Sequence, residues 1–317
     1  MLRLFNINNG SIKEQTPSAE HIKQAVAIAS WIDAHDPTDN ERNALQAFLH
    51  AELPESEEVE EIESSARYFT DHTGIHVRSL FLAFTDGRHS TATVAFILQN
   101  ERLITLREGS LADFRLLRMR IRRGQMAVDS PQELMVTMFE QKVENLADAL
   151  EDIHRKLEDV SYLVLEEMNS DLENAIDQLA KLEDSNGKIR LCLMDTQRSV
   201  SFLQRHLRHF PELQETSREI MRDVDTLMTH TTFLFDKINF LMDSTQGFIN
   251  IEQNKIIKIF SIAAVVFLPP TLVASIYGMN FQHMPELNLQ LGYPGALALM
   301  LLAGIAPYWF FKRKGWL

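Results

Sequence analysis

The pattern of apolar residues changes abruptly near the end of the chain. Residues 256–278 are interrupted only by Lys258 and carry no further charge, and residues 292–311 carry no charge at all. As helices, the two stretches would rise about 34 Å and about 30 Å, close to the thickness of a bilayer core. Two buried helices of a soluble core are the alternative, but uncharged stretches of this length are unusual there. The pattern therefore predicts two membrane spans.

Basic residues predict how these spans are oriented. Lys255 and Lys258 flank the start of the first span, the tail of residues 312–317 is basic, and the loop of residues 279–291 has no lysine or arginine. Because basic residues stay on the cytoplasmic side, both termini should be cytoplasmic and the loop should face outward. The start of the chain has no apolar run of signal-peptide length, so we expect most of the chain to stay on the side of the membrane where it is made.

Upstream of the spans, the periodicity alternates between strand and helix. Residues 75–84 and 91–98 are rich in β-branched and aromatic residues and flank the turn-like TDGRH, and RLITLRE follows them. These segments read as neighbouring strands. Alternation with helices predicts an α/β domain over residues 1–130. The helical patterns cover residues 39–50, 55–65 and 112–123.

The remainder of the soluble part is predicted to be helical. Over residues 131–211, apolar residues recur at steps of three and four among many charges, which is typical of long antiparallel helices. Pro211 interrupts this pattern, and no proline follows before the first span. One stalk helix over residues 212–255 could therefore continue into the membrane. The predicted fold class is an α+β domain of the α/β/α sandwich type, a helical stalk and two C-terminal membrane helices.

Charge and composition narrow the function. The chain has 317 residues, a formal net charge of −13 and 45% hydrophobic residues. An acidic chain argues against nucleic acid as a partner and suits the attraction of cations. Cys192 is the single cysteine, and no CxxC or HExxH spacing predicts a zinc site. Because no nucleophile, phosphate-binding loop or acid pair stands out, we expect no enzyme activity; a membrane-tethered enzyme is the weaker alternative.

One face of the predicted stalk and first span is small and polar, whereas a coiled-coil seam should be mainly Leu, Ile and Val. Small residues that let membrane helices pack closely are one interpretation. The other interpretation is a cation path enclosed by several copies of this helix. Carboxylates and amides that recur every seven residues favour it. No carboxylate lies between Glu252 and Glu286, so an ion would meet hydroxyls, amides and carbonyls, weak contacts that suit hydrated Mg2+. This polar seam reads Asp236, Phe240, Asp243, Gly247, Asn250, Asn254, Ile257, Ser261, Ala264, Leu268, Thr271 and Ser275.

Two consecutive prolines interrupt the first span. Pro269 and Pro270 have no amide hydrogen, so the carbonyls of Val265 and Val266 lose their helical donors and need water, an ion or a neighbour. A simple structural kink is an equally good interpretation.

The outer end of the first span carries YGMNF, and MPEL follows shortly after it. Placed between two terminal spans, with a basic tail ending in KRKGWL, this combination resembles the CorA magnesium transporters. The first span itself, the acidic helical section, CLMDTQRS and the amino-terminal part look like the same family, so the resemblance covers essentially the whole chain.

The resemblance implies a funnel-shaped homopentamer in the bacterial inner membrane that conducts Mg2+ inward and is gated by cytoplasmic Mg2+. Co2+ and Ni2+ are candidate further cargo. A ZntB-like Zn2+ transporter of the same wider family is the alternative, and the complete MPEL sequence favours Mg2+.

Site residues follow from the matching motif. Asn280 would help to capture hydrated Mg2+ in a filter with Gly278 and Met279, Gly278 would let the helix end turn, and Glu286 would add negative potential at the outer mouth. Ile257 stands where some relatives have methionine, a difference that should alter hydrophobic gating in degree. The predicted pore-lining positions are Asn254, Ile257, Ser261, Leu268 and Thr271.

Regulatory metal sites in the family pair a carboxylate of the α/β domain with one on the stalk helix of the adjacent subunit. Asp86 matches the first, and Asp223 is our choice for the second, with Glu219 one turn away as its competitor. Asp243 is a further candidate on the same helix. The alternative for each is a solvated surface carboxylate.

Overall fold

The computed structural model describes residues 1–8, 10–15, 22–49, 67–85, 87–166, 171–282 and 284–315. The chain forms two compact units, Met1–Met242 and Asp243–Leu317, called here the N-terminal and C-terminal units. The predicted helix over residues 55–65 lies outside the described residues.

A mixed sheet is the centre of the N-terminal unit. Its order is β2-β1-β3-β7-β6-β5-β4, and β3 and β7 pair in parallel while the other neighbours are antiparallel. The strands are β1 (Leu2–Asn8), β2 (Ser11–Gln15), β3 (Trp31–His35), β4 (Tyr68–Asp71), β5 (Gly74–Thr85), β6 (Arg88–Leu98) and β7 (Leu103–Arg107).

Helices cover the sheet and form most of the rest of the described chain. They are α1 (Ile22–Ile28), α2 (Asp39–Leu49), α3 (Ala112–Arg122), α4 (Pro131–Leu165), α5 (Leu172–His206), α6 (Pro211–Tyr277) and α7 (Gly292–Arg313), with a 3-10 turn at Pro285–Asn288.

Both faces of the sheet are buried, because adjacent residues in a strand point to opposite sides and both are apolar. Ile32 belongs to a core with Leu45 of α2, whereas its neighbour Trp31 belongs to a second core with Phe114 of α3 and Phe139 of α4. The sheet therefore lies between two helical layers, and the predicted α/β/α sandwich is confirmed.

The long helices pack through a repeat of three and four residues. Ser130 caps α4 by accepting a hydrogen bond from the Glu133 amide at 3.1 Å, and Asp171 caps α5 in the same way. Helices α5 and α6 are antiparallel. Asn186 forms a hydrogen bond with Thr231, whereas Gln197, further along α5, forms one with Asp225, which comes earlier in α6. Buried positions on α4 follow the repeat: Leu146, Leu150, Ile153, Leu157, Val160 and Val164.

A buried charged network joins this helical layer to the sheet. Asp195 of α5 accepts hydrogen bonds from the Ser79 hydroxyl at 2.5 Å, the Leu80 amide at 2.7 Å and the Arg67 guanidinium at 3.2 Å. Lys142 of α4 donates to Ser79 Oγ at 2.9 Å and lies 3.7 Å from Asp195 Oδ2. Burial lowers the pKa of Lys142, and Asp195 opposes that effect. The network fixes two helices against β5.

The C-terminal unit contains the end of α6, the outer loop and α7. As predicted, no break separates the stalk from the first apolar stretch, because α6 is one helix from Pro211 to Tyr277. Both apolar stretches are long and apolar enough to cross a membrane, and neither is buried within the described part of the chain. Division of the chain at residues 130, 211 and 255 remains a prediction.

Candidate ion pathway and outer loop

The polar seam keeps its regular spacing in the C-terminal unit because α6 is continuous there. All five predicted pore-lining residues are solvent-exposed in the single chain, including the apolar side chains of Ile257 and Leu268, which are 61% and 65% exposed. The structure thus places Asn254, Ser261 and Thr271 on one helix with these two residues. Their exposure leaves the face open to an ion path or to further copies.

The hydroxyl of Thr271 has a defined orientation. Thr271 Oγ1 donates a hydrogen bond to the Phe267 carbonyl at 2.7 Å. Its proton is therefore directed into the helix, and the oxygen lone pairs remain available as acceptors. An acceptor of this kind can contact the water shell of a hydrated cation.

The proline pair of the first span has a neighbour within its own chain. A Cβ placed on Gly304 of α7 would lie 3.4 Å from Pro270 Cγ and 3.7 Å from the Val266 carbonyl oxygen. The carbonyl that Pro270 leaves without a helical donor therefore lies close to Gly304 of α7. Of the three partners predicted for this carbonyl, a neighbouring helix lies within reach, and which of the three satisfies it stays a prediction.

The GMN segment begins where α6 ends. The Gly278 amide donates to the Ala274 carbonyl at 2.9 Å, and the Met279 amide donates to the Ile276 carbonyl at 3.3 Å. Gly278 does not adopt a positive φ, so this helix end uses no left-handed residue. A Cβ at Gly278 would instead lie 3.1 Å from the Ala274 oxygen. Met279 and Asn280 follow as exposed residues.

The second half of the outer loop is a compact turn. Glu286 lies exposed in the Pro285–Asn288 3-10 turn, and the Leu289 amide donates to the Glu286 carbonyl at 3.3 Å. The Gly292 amide then donates to the Leu289 carbonyl at 2.9 Å. These bonds connect the Glu286 turn directly to the first residue of α7.

Acidic residues of the N-terminal unit gather where α4 and α6 are neighbours. Burial, Glu144 and Glu219 raise the pKa of Glu140, and Asp223 adds to the effect, although Arg120 opposes it. Asp223 and Glu219 are both exposed, as is Asp243 in the C-terminal unit. Asp86 lies outside the described residues. Across the described ranges, no three His, Cys, Asp or Glu side chains are arranged to hold a metal ion within one chain.

Comparison with known proteins identifies the family of this chain. Residues 27–313 match the family described as CorA-like Mg2+ transporter protein. The magnesium transport protein CorA of Escherichia coli strain K12 is 48% identical over 319 residues, which cover 100% of both chains. The chain belongs to the CorA family. The resemblance drawn from GMN and MPEL is confirmed, and CorA proteins form a family of transporters.

Solved structures agree on the fold. The complete CorA magnesium transporter from Methanocaldococcus jannaschii superposes with a TM-score of 0.75 at 18% identity, covering 100% of this chain and 99% of that one. The cytoplasmic domain of ZntB from Vibrio parahaemolyticus gives a TM-score of 0.58 at 12% identity, covering 78% of this chain and 97% of that one. CorA architecture is therefore shared well beyond close relatives in sequence.

Sequence reasoning missed three residues that the structure brings to these sites. Glu140 was part of a charged helical pattern, and only the folded chain places it near Glu219 and Asp223. Gly292 and Gly304 belong to an apolar span whose hydropathy does not set them apart. A glycine is the least favoured residue of a helix interior after proline, and that signal could have marked Gly304.

Proposed function

We propose that this protein is the subunit of a homopentameric Mg2+ channel of the bacterial inner membrane that mediates Mg2+ influx. This proposal rests on the GMN and MPEL motifs, which lie between two exposed apolar helices. The chain that carries them is 48% identical along its length to a magnesium transport protein. Both termini are cytoplasmic in this arrangement, because the basic residues lie at the ends of the spans remote from the outer loop.

The path for the ion lies between copies of α6. One polar face cannot enclose a channel, but five copies around an axis would surround it with Asn254, Ser261 and Thr271, while Ile257 and Leu268 narrow it. Mg2+ gives up its water reluctantly, so neutral oxygens that contact a hydrated ion allow it both to enter and to leave. Asn280 captures the ion at the outer end with Gly278 and Met279, and Glu286 raises its local concentration.

Cytoplasmic Mg2+ closes this channel. Five copies would bring together five times the net charge of −13, and cations between acidic faces relieve the repulsion. We assign this role to Asp86 and Asp223 of adjacent subunits, with Glu219 and Asp243 as further ligands. When Mg2+ leaves, the subunits separate and the seam around Ile257 and Leu268 widens.

Uptake into vesicles that contain only this protein tests the function. Liposomes with the purified protein should take up Mg2+ under an inward gradient, and Co2+ and Ni2+ should compete as further cargo. Expression of the same chain should restore growth in low Mg2+ to a bacterium that lacks Mg2+ uptake systems. The second candidate, a Zn2+ transporter, has the ZntB fold in its favour. Liposomes that pass Zn2+ and no Mg2+ would replace the first proposal with the second.

A further inference from the structure

The start of α7 leaves no room for a side chain. A Cβ built on Gly292 would lie less than 3.0 Å from the carbonyl oxygen of Glu286, a separation that real Cβ atoms essentially never show, and 3.5 Å from the Glu286 carbonyl carbon. The obstacle is backbone, so no rotation of a side chain could relieve it. Gly295, one turn further along the same helix, has nothing within 4 Å of its Cβ position.

Neither helix formation nor an unusual backbone angle explains Gly292. Its φ is not positive, so an alanine could adopt the same conformation. Glycine also weakens a helix relative to alanine, so α7 gains no local stability from it. Close approach of the Glu286 peptide is the remaining reason for a glycine here.

We propose that Gly292 is a positioning residue for ion capture, which seats the Glu286 turn against the first residue of the second membrane helix. This inference rests on the proposed function, in which Glu286 lies at the outer mouth. Because the oxygen that would meet a Cβ belongs to Glu286 itself, any side chain at position 292 must displace the peptide that carries the Glu286 carboxylate.

Gly292→Ala and the matched control Gly295→Ala test this role. Both add one methyl group to the same helix, but only the first meets the Glu286 carbonyl. In liposomes, Gly292→Ala should raise the Mg2+ concentration for half-maximal uptake by about tenfold, as expected for loss of one good binding contact. Its maximal rate and its assembly in detergent should match wild type, and Gly295→Ala should match wild type in all three.

A chemical probe reports on the turn without ion transport. Cys192 is buried, and burial raises the pKa of its thiol to about 12. The native chain should therefore react little with a cysteine label. Leu289→Cys would place a thiol on the exposed side of the turn. Its reaction rate with a membrane-impermeant maleimide should change at least about threefold when Gly292→Ala is added, and should stay constant when Gly295→Ala is added.

The outcomes separate this inference from the proposed function. Equal uptake curves and labelling rates for both alanine variants would overturn the role of Gly292. A Gly292→Ala protein that fails to assemble would overturn it as well, since Gly292 would then be a folding determinant. A wild-type protein that carries no Mg2+ would sink the channel proposal, while the labelling rates would still decide whether Gly292 positions the turn.

Discussion

The two units of this chain differ in where their apolar and charged residues lie. In the N-terminal unit, aromatic and aliphatic side chains fill two cores, and even the charged Lys142 and Asp195 are buried against each other. In the C-terminal unit, both long helices expose their apolar side chains, and no acidic residue occurs from residue 253 to residue 285. The first unit buries its apolar side chains within the described chain, whereas the two apolar helices of the second leave theirs exposed.

The largest effect should come from the residue at the ion entrance. Asn280→Ala should abolish Mg2+ uptake in liposomes without loss of assembly, because the exposed amide has no packing role in the chain. Asn280→Asp should not restore selectivity, since a charged ring would hold cations more tightly and discriminate less by hydration. Asn288→Ala, an exposed amide of the same loop, is the control and should transport normally. Normal flux through Asn280→Ala would remove Asn280 from the mechanism.

Breaking the buried network should destabilise the N-terminal unit by several kcal/mol. Asp195→Ala leaves Lys142 buried without its counter-charge, and removal of one partner of a buried pair costs about 3–5 kcal/mol in free energy of unfolding. Chemical denaturation of the purified protein, followed by circular dichroism, measures the loss. Asp177→Ala removes an exposed ion pair with Lys181 on the same helix and should leave the transition unchanged. Coincident transitions for the two variants would contradict the central role of the network.

Fixed positive charge should replace regulatory Mg2+. Chelation should make the wild-type N-terminal unit more sensitive to protease, whereas Asp86→Lys or Asp223→Lys should keep it resistant, because the new ammonium group favours the closed form without the ion. Asp225→Lys is the control on the same helix, since Asp225 already accepts a hydrogen bond from Gln197 of its own chain. If chelation does not affect the wild type and neither lysine variant differs from it, the gating assignment is wrong.

The smallest effect concerns the acid stability of the N-terminal unit. Burial alone would raise the pKa of Asp71, but hydrogen bonds from the hydroxyl and amide of Thr73 lower it from 3.8 to about 2. Asp71 therefore contributes stability above pH 3.8, and this contribution is lost as pH falls through about 2. The difference in unfolding midpoint between wild type and Asp71→Asn should shrink over that range. A difference that does not vary with pH would refute this account.

Periodicity was enough to predict the elements whose partners are close in sequence. Strands β5 to β7 and helices α2 to α6 agree with the predicted segments because the strands are rich in β-branched and aromatic residues and the helices repeat apolar residues at steps of three and four. Strand β3 was missed because it has only five residues and contains Asp33, which reads as a loop residue. Arg107 forms an ion pair with Asp33 at 3.0 Å from 74 positions away, and no local pattern shows that compensation.

In the candidate site, too, some features were predictable from the sequence and others were not. Regular spacing along α6 predicted the polar seam, and the outer loop was identified by the GMN and MPEL motifs rather than by periodicity. Contacts between backbone segments were not predictable, because they depend on how the chain turns. Gly292 meets a carbonyl six residues before it, and Gly304 meets one 38 residues before it.

The contact between Gly304 and the Val266 carbonyl has an evolutionary consequence. A methyl group at position 304 would meet Pro270 Cγ at 3.4 Å and the Val266 carbonyl oxygen at 3.7 Å, which are ordinary van der Waals contacts, so only a side chain larger than alanine would press on the peptide group that Pro270 has deprived of its donor. A descendant that replaces Pro270 with a residue bearing an amide hydrogen would restore that donor, and the two helices would no longer need to approach so closely. We expect substitution at position 270 to come first in such a lineage and enlargement at position 304 to follow, an order that inferred ancestral sequences can reveal or refute.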